Sequence, residues 1–356
     1  MLTKVFVPVL LCISVVIFGA DTVTQKILKT SFFLSNPLSS FNIYENEEQN
    51  TENSIESEKP YAHTSSSSIT FTVSSDIQKL VEEAKKKYAN SSNDGTITAD
   101  DYSIKNATAE YNGIYLKNAT QNHSEIDIAK YLNKKIQATV DKSKPAVLVY
   151  HTHTSETYEL LDRDFYTNER STRSENYAEN MVRVGEEICN ILEKNGYKTI
   201  HDKTVFDESL SGAYSRSREN ISKILKENPS IQVVLDIHRD SIYLKDGTRV
   251  KAVSQIGGEK VAQIMITTGC EDGNVTDFPN WEKNLTFALN LQQSLVREAP
   301  SLMRPLNFAA RKYNMDLIPC ALHIEIGTDA NTLAEAVNSA NILGEALSEL
   351  LKECEI

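Results

Sequence analysis

Cysteine is scarce in this sequence, and so is clustered positive charge. The chain of 356 residues has five cysteines, with no Cys-x-x-Cys pair and no regular spacing. This pattern argues against a thiolate zinc cluster and against a disulfide scaffold. Single buried thiols are therefore the expected state, although the sequence leaves a Cys270–Cys320 bridge open.

The lack of basic clusters excludes one class of partner. Acidic residues number 49 against 37 basic residues, which gives a net charge of −12. Phosphate binding needs concentrated Lys and Arg, so nucleic acid is not an expected partner. A hydrophobic content of 40% is sufficient for a core. The length allows one large domain or two modest ones.

The amino-terminal segment predicts export. Residues 5–19 are almost wholly apolar and follow Lys4, which is typical of a signal or a short membrane anchor. The run is shorter than the ~20 residues of a full span. Phe18 is bulky where a cleavage site favours a small residue. We therefore expect residues 1–20 to be an uncleaved anchor in the cell membrane, with the rest of the chain outside the cytoplasm.

The composition changes twice along the chain. Residues 21–75 are rich in Ser, Asn, Thr and Glu and predict a disordered linker. Residues 76–143 predict a small lead-in with a helix at 76–90, a strand at 114–116 and a helix from about 125. Residues 144–356 predict the main domain, in which strands and helices alternate.

The main domain is expected to be an α/β fold. Its predicted strands fall at 145–151, 197–201, 231–240, 260–269 and 321–327, and all but the second are largely apolar. The predicted helices fall at 176–196, 218–229 and 280–300, and a last one opens with a Thr332–Glu335 capping box. This alternation predicts a mainly parallel sheet flanked by helices. Ligands of such sheets bind beyond the carboxyl ends of the strands.

Imidazoles and carboxylates follow three of these strands. A catalytic zinc site uses three nitrogen or oxygen ligands and leaves a position for water, and a nearby carboxylate takes the water's proton. A single His-x-x-Glu motif is common by chance, but four of seven histidines fall at predicted strand ends. The residues are His151, His153 and Glu156 after the first strand, His238 in the second, and His323 with Glu325 in the last.

The spacing predicts a role for each residue. His153 and Glu156 form a His-x-x-Glu pair, and His238 is the natural third zinc ligand. Glu325 suits the catalytic base, and His151 is interpreted as an orienting residue. The carboxylate ligand stays open, because Glu175 and Glu179 begin the next predicted helix. The alternative interpretation of these two glutamates is a favourable interaction with the dipole at the start of that helix.

Several motifs together resemble the stage II sporulation protein P family over about residues 110–356. The resemblance implies a zinc-dependent peptidoglycan amidase that cleaves the amide between the lactyl group and the stem peptide. It also implies endopeptidase action on crosslinks, work in endospore engulfment, and stage II sporulation proteins D and M as partners. It places zinc on His153 and His238 and catalysis on Glu325. The motifs are YHTHTSETY, VVLDIHRDS, VAQIMITTG, NWEKNLTFA and LHIEIGTDANTLAEA.

Polar residues near these motifs are candidates for a substrate groove, since Arg is suited to gripping a carboxylate. Two other functions remain open. One is a different metal-dependent hydrolase, although about 210 core residues are few for an eight-fold barrel of typically ~250. The other is a non-catalytic wall-binding scaffold. The groove candidates are Arg239, Asn284, Arg304, Tyr313 and Asn314.

Overall fold

The computed structural model describes residue 69, residues 71–356 and the short strand β1 (Asn42–Ile43). All of them belong to one compact unit. The predicted anchor, residues 1–20, and most of the predicted linker lie outside the described residues. Within the described part, no helix has the length and apolar character needed to cross a membrane.

An eight-stranded sheet forms the centre of the fold and confirms the mainly parallel α/β prediction. The order is β3-β4-β13-β12-β14-β8-β5-β7. The pairs β3–β4 and β12–β14 are antiparallel, and the others are parallel. The first two strands come from the predicted lead-in. The strands are β3 (Ala109–Tyr111), β4 (Ile114–Ala119), β5 (Pro145–Tyr150), β7 (Lys198–His201), β8 (Val233–Asp240), β12 (Ile264–Gly269), β13 (Leu306–Ala309) and β14 (Ala321–Thr328).

A smaller sheet lies in the same unit and corrects one predicted strand. The run at 260–269 is two strands, because the chain leaves the small sheet at Gln263 and enters the large one. Gln263 is fully buried, and its backbone N–H donates to the Ala252 carbonyl. The small sheet contains β1, β2 (Gly95–Asp100), β6 (Phe165–Tyr166), β9 (Ile242–Tyr243), β10 (Arg249–Ile256) and β11 (Glu259–Ala262).

Six α-helices accompany the sheets in the described part of the chain. The third begins later than predicted, because Asn180 caps it by accepting the Val182 N–H at 3.0 Å. The predicted capping box at Thr332 and Glu335 is confirmed. The helices are α1 (Ser75–Lys87), α2 (Ile128–Leu132), α3 (Met181–Lys194), α4 (Ala213–Glu227), α5 (Trp281–Glu298) and α6 (Leu333–Lys352).

The two faces of the large sheet are covered differently. Alternate strand residues such as Val149 and Leu235 join a large core with α3, α5 and α6. Their neighbours Leu148 and Val234 join a smaller core with Ile221 of α4 on the opposite face. This second face therefore has less helical cover, and it is the face on which the polar residues described below converge.

The four cysteines in the described part of the chain are free and buried, as the sequence predicts. Burial raises the pKa of the Cys270 and Cys320 thiols to about 12. A protonated thiol in an apolar environment behaves as a small hydrophobic side chain. The Cys270–Cys320 bridge left open by the sequence is not formed.

Candidate metal centre

Two neighbouring strands bring four ionisable side chains to one face of the sheet. In the parallel pair β8–β14, His323 lies opposite Asp236 and Glu325 lies opposite His238. Residues two apart on a strand point to the same face, so all four side chains share it. Ligand atoms of Asp236, His238 and His323 lie within 4.8 Å of one another.

His153 and Glu156 approach the same point from the turn after β5. The ring centroids of His153 and His238 are 5.3 Å apart. Glu156 places Oε2 3.5 Å from Nδ1 of His238, and the same oxygen accepts the backbone N–H of Arg239 at 3.3 Å. The structure thus places His153 and Glu156 each beside His238, whereas the described group whose ligand atoms all lie within 4.8 Å is Asp236, His238 and His323.

Electrostatics keep this carboxylate ionised. Burial opposes ionisation of Glu156, yet the charge of Arg239 and the contact with His238 hold its pKa well below the usual range. Burial is also the main cause of the lowered pKa of His153. Zinc requires a charged carboxylate and neutral imidazoles. His153 meets this condition, whereas at His238 burial opposes protonation but Asp236 and Glu156 raise the pKa, so metal binding there would release a proton.

Buried polar atoms without a hydrogen-bond partner collect at this place. Unpaired buried polar atoms are rare in folded proteins, and each costs roughly 1–3 kcal/mol. Ligand atoms of Asp236, His238 and His323 lie close enough to share one cation, so the residues here fit a divalent metal with nitrogen and oxygen ligands. Among the described residues, the unpaired buried atoms here are His153 Nδ1, His238 Nε2, His323 Nδ1 and Glu325 Oε2.

Asp236 is held as an orienting group for His238. Its carboxylate accepts the Thr152 N–H at 2.8 Å and the Thr152 hydroxyl at 2.7 Å. Its Oδ1 lies 2.7 Å from Nε2 of His238, a close charge contact without hydrogen-bond alignment. Burial opposes its ionisation, but the charge of His238 lowers the pKa of Asp236 to about 2. Carboxylates behind metal-binding histidines commonly play this part.

One carboxylate oxygen of Glu325 contacts His323, and the other has no hydrogen-bond partner in the described chain. His323 Nε2 contacts Glu325 Oε1 at 2.7 Å, and the His323 ring stacks on His238 at 4.3 Å between centroids. Burial would raise the pKa of Glu325, but the charge of His323 outweighs it and the pKa is lowered. Glu325 is therefore an ionised carboxylate whose buried Oε2 has no hydrogen-bond partner in the described chain.

His151 occupies the other face of the sheet. Its Nδ1 lies 3.0 Å from the Ile237 carbonyl, and its Nε2 lies 2.9 Å from Nε2 of His201. Gly185 of α3 makes room for this ring, since a Cβ there would lie 2.6 Å from it. Burial lowers the pKa of His151 to about 4. Strand alternation thus separates His151 from the groups around His238.

The two other candidate carboxylates have different surroundings. Glu175 is exposed. Glu179 accepts from Arg170 at 3.2 Å and from the Ser174 hydroxyl at 2.8 Å. Both precede α3 instead of lying in its first turn, which removes the expected helix-dipole interaction. Glu156 is the only one of the three alternatives that contacts His238 in the described chain.

Three of the predicted groove residues are engaged within the protein. Asn284 is fully buried and donates to two backbone carbonyls, so it cannot contact a substrate directly. Arg239 is buried and donates to the carbonyls of Thr157 and Thr172, which fixes the loop after β5. Arg304 is buried against Asp240, with Nη2 at 2.9 Å from Oδ2.

Tyr313 and Asn314 lie beside the centre. Tyr313 adopts a φ of +43°, which directs its ring to within 5.0 Å of the His323 ring. Asn314 donates to the Ser217 hydroxyl at 3.0 Å, behind Thr152. The sequence predicted no role for Asp236 or for His323. Asp236 lies two residues before His238, and His323 lies two residues before Glu325. Because residues two apart on a strand share a face, this spacing was the signal that Asp236 and His323 belong to the centre.

Fold and site together define an α/β protein with a histidine–carboxylate centre on one face of a mainly parallel sheet. The chain belongs to the stage II sporulation protein P family, whose model matches residues 29–348. It is 28% identical over 231 residues to stage II sporulation protein P of Bacillus subtilis (strain 168). The match covers 62% of this chain and 54% of the relative, so the chain spans about half the length of that curated relative.

Solved structures give weaker likenesses. The amidase AmiC2 of Nostoc punctiforme matches at 10% identity and a TM-score of 0.35, over 60% of this chain and 99% of that chain. The catalytic domain of CwlV from Bacillus (Paenibacillus) polymyxa matches at 11% identity and a TM-score of 0.36, over 58% and 98%. With scores below 0.5, these likenesses carry no weight in the assignment of function.

Proposed function

We propose that this protein is a zinc-dependent N-acetylmuramoyl-L-alanine amidase that acts on peptidoglycan during endospore engulfment. The supporting observation is that ligand atoms of Asp236, His238 and His323 lie within 4.8 Å of one another, with His153 and Glu156 both beside His238. Membership of the stage II sporulation protein P family adds the substrate, a second action on peptide crosslinks, and the partner proteins D and M. The membrane anchor and the extracytoplasmic location belong to the same proposal.

The zinc would be held by His153, Glu156 and His238. When bound, zinc polarises a carbonyl and lowers the pKa of its water to about 7. Glu156 supplies negative charge and stays ionised because Arg239 lies beside it. Asp236 orients the His238 ring from behind, which fixes the direction of its other nitrogen.

Glu325 would carry the proton in amide hydrolysis. Its Oε1 is anchored by His323, while the buried Oε2 has no hydrogen-bond partner in the described chain. An ionised carboxylate in this position accepts a proton from the attacking water and returns it to the leaving amine. Tyr313 and Tyr214, stacked at 4.8 Å, form an aromatic wall beside the same point.

The test is release of stem peptides from purified sacculi by the full-length protein, analysed by mass spectrometry. We expect free lactyl termini, loss of activity with a chelator and recovery with zinc. Glu325→Gln is expected to lower the rate by about 10²–10⁴-fold, the usual contribution of a general base. The exposed Glu175→Gln is the matched control and should keep wild-type activity.

The opposite result would favour a wall-binding scaffold. If chelated protein or Glu325→Gln protein released peptides at the wild-type rate, the metal-dependent amidase would be excluded. Cleavage at another bond, with the same dependence on zinc and Glu325, would favour a different metal hydrolase.

A further inference from the structure

A line of buried hydrogen bonds leads from the segment between β13 and β14 to the carboxylate behind His238. Asn314 Nδ2 lies 3.0 Å from the Ser217 hydroxyl, and that hydroxyl lies 2.9 Å from the hydroxyl of Thr152. Thr152 in turn donates to Asp236 at 2.7 Å. Asn314 is 6% exposed and the other three residues are 1% exposed or less, so bulk water does not compete for these bonds. We name Asn314, Ser217 and Thr152 the donor relay.

The group at the end of the relay fixes the direction of every bond. Thr152 has one hydroxyl proton and uses it on Asp236. Toward Ser217 the Thr152 hydroxyl can then only accept, so Ser217 is the donor of that bond. The other acceptor beside the Ser217 hydroxyl is the Tyr214 carbonyl, which is farther away at 3.2 Å. The Ser217 oxygen accepts from the Asn314 amide, so all three donors point toward Asp236, and bonds aligned in this way strengthen one another.

The relay joins three parts of the fold that are distant in sequence. Thr152 follows β5, Ser217 lies in α4, and Asn314 lies between β13 and β14. Asn314 has a φ of +60°, in the left-handed region that asparagine tolerates better than most residues. Its neighbour Tyr313 has a φ of +43°, which is strained for a bulky side chain, and such strain is found mainly at functional sites. The left-handed turn thus places the Asn314 amide at Ser217.

A buried phenol lies beside the same groups. Tyr150 is 1% exposed and contacts Asp236, Thr152 and Asn314. Burial and the charge of Asp236 raise the pKa of Tyr150 well above its ordinary value, so the phenol keeps its proton. Asp236 is therefore surrounded by neutral hydroxyl groups, which hold its carboxylate in one orientation.

We propose that Ser217 and Asn314 are positioning residues for the metal centre. They act on His238 through the Thr152 hydroxyl and the Asp236 carboxylate, whose Oδ1 lies 2.7 Å from Nε2 of His238. This carboxylate cannot turn without breaking the relay. The inference rests on the proposed zinc centre and is independent of the bond that is cleaved. It gives the segment between β13 and β14 a role in metal binding that is carried entirely by hydrogen bonds.

Zinc affinity of the full-length protein, measured by competition with a chromophoric chelator, tests this role. Ser217→Ala removes the middle hydroxyl, and Asn314→Gly removes the amide while glycine keeps the left-handed backbone accessible. Each variant should raise the Kd for zinc by about tenfold, the lower end of the roughly 10–100-fold effect of groups behind metal ligands. Because both residues act through one relay, the double variant should bind zinc about as weakly as Ser217→Ala alone. Ser215→Ala, an exposed position of the same helix, is the matched control and should keep the wild-type Kd.

Histidine ring signals of chelator-treated, isotope-labelled protein test the relay by NMR without metal or turnover. The His238 signal, assigned by its loss in His238→Gln, should shift in Ser217→Ala and in Asn314→Gly but not in Ser215→Ala. The His123 signal should stay constant in all three variants.

The two measurements separate the relay from the proposed function. An unshifted His238 signal in Ser217→Ala, or an unchanged zinc Kd in that variant, would overturn the relay. A wild-type protein that binds no zinc would exclude the proposed zinc centre alone, and the histidine signals would still decide whether Ser217 and Asn314 position His238. Thermal melting checks that each variant is folded; if Ser217→Ala does not fold, Asn314→Gly carries the same test.

Discussion

His238 is the residue common to two candidate ligand sets, because its two ring nitrogens face different carboxylates. Nδ1 faces Glu156 at 3.5 Å, and Nε2 faces Asp236 at 2.7 Å. The first direction leads to a centre with His153. The second leads to a centre with His323, whose ring stacks on His238. Asp236 already accepts two hydrogen bonds from Thr152, which favours the first set.

This choice predicts the zinc content of two variants. His153→Ala should lose bound zinc because it removes a ligand, whereas His323→Ala should keep close to one zinc per chain and lose activity through Glu325. Metal analysis of dialysed, folded protein measures both. Zinc retained in His153→Ala but lost from His323→Ala would move the centre to Asp236, His238 and His323. Glu175→Ala, a change at an exposed residue, is the control for zinc that is lost during dialysis.

The residues of the centre that the sequence could predict are those that lie at the ends of predicted strands. His153, Glu156, His238 and Glu325 follow or end apolar runs, and the sequence alone brings them to one region. The position of His323 depends on its register against Asp236, which involves two strands separated by more than 80 residues. Such pairing leaves no local pattern, so the stacking of His323 on His238 could not be predicted.

The start of α6 is an element whose sequence signal and structure agree. Thr332 Oγ1 accepts the Glu335 N–H at 3.2 Å, and Glu335 Oε2 accepts the Thr332 N–H at 2.9 Å. Thr332→Ala should lower the free energy of unfolding by about 1 kcal/mol, since it removes the cap. Denaturant unfolding measures the change. Thr332→Ser keeps the hydroxyl, so its free energy of unfolding should stay within about a few tenths of a kcal/mol of the wild-type value. A serine variant as destabilised as the alanine variant would argue for packing instead of capping.

Other elements escaped prediction for physical reasons. β13 has four residues, too few for a periodic pattern. β10 contains Lys251, which the fold buries only because Asp162 and Glu335 form ion pairs with it at 2.6 and 3.2 Å. A lysine in a strand normally indicates an exposed edge. The ion pairs of Lys251 thus allow β10 to be buried, although its sequence indicates an exposed strand.

At the scale of the whole molecule, the metal centre lies on the face of the large sheet that fewer helices cover. Three helices close one face of the large sheet over an apolar core, while the other face keeps α4 at one side. The metal centre lies on this more open face. The face buried by helices holds a different polar feature, the histidine pair His151–His201 beneath α3.

That pair predicts a dependence of global stability on pH. Burial lowers the pKa of His151 to about 4 and of His201 to about 3, against an ordinary value of about 6.5. Both are neutral in the folded protein and become protonated in the unfolded chain below pH 6.5. The unfolded state then binds more protons, so stability should fall as the pH drops from about 6.5 to about 4. Well below pH 6.5 the loss approaches about 1.4 kcal/mol per pH unit for each histidine.

Chelator-treated protein isolates this effect from metal binding, and thermal or denaturant unfolding between pH 7.5 and 5 measures it. His201→Gln keeps a hydrogen-bonding group beside His151 but removes one titrating site, so its stability should depend less steeply on pH than that of the wild type. His123→Gln, which changes a partly exposed histidine that contacts the Glu271 carbonyl, is the control and should keep the wild-type slope. Equal slopes for wild type and His201→Gln would show that His201 is not neutral in the folded protein, and the acid sensitivity would then have to arise from the carboxylates of the metal centre.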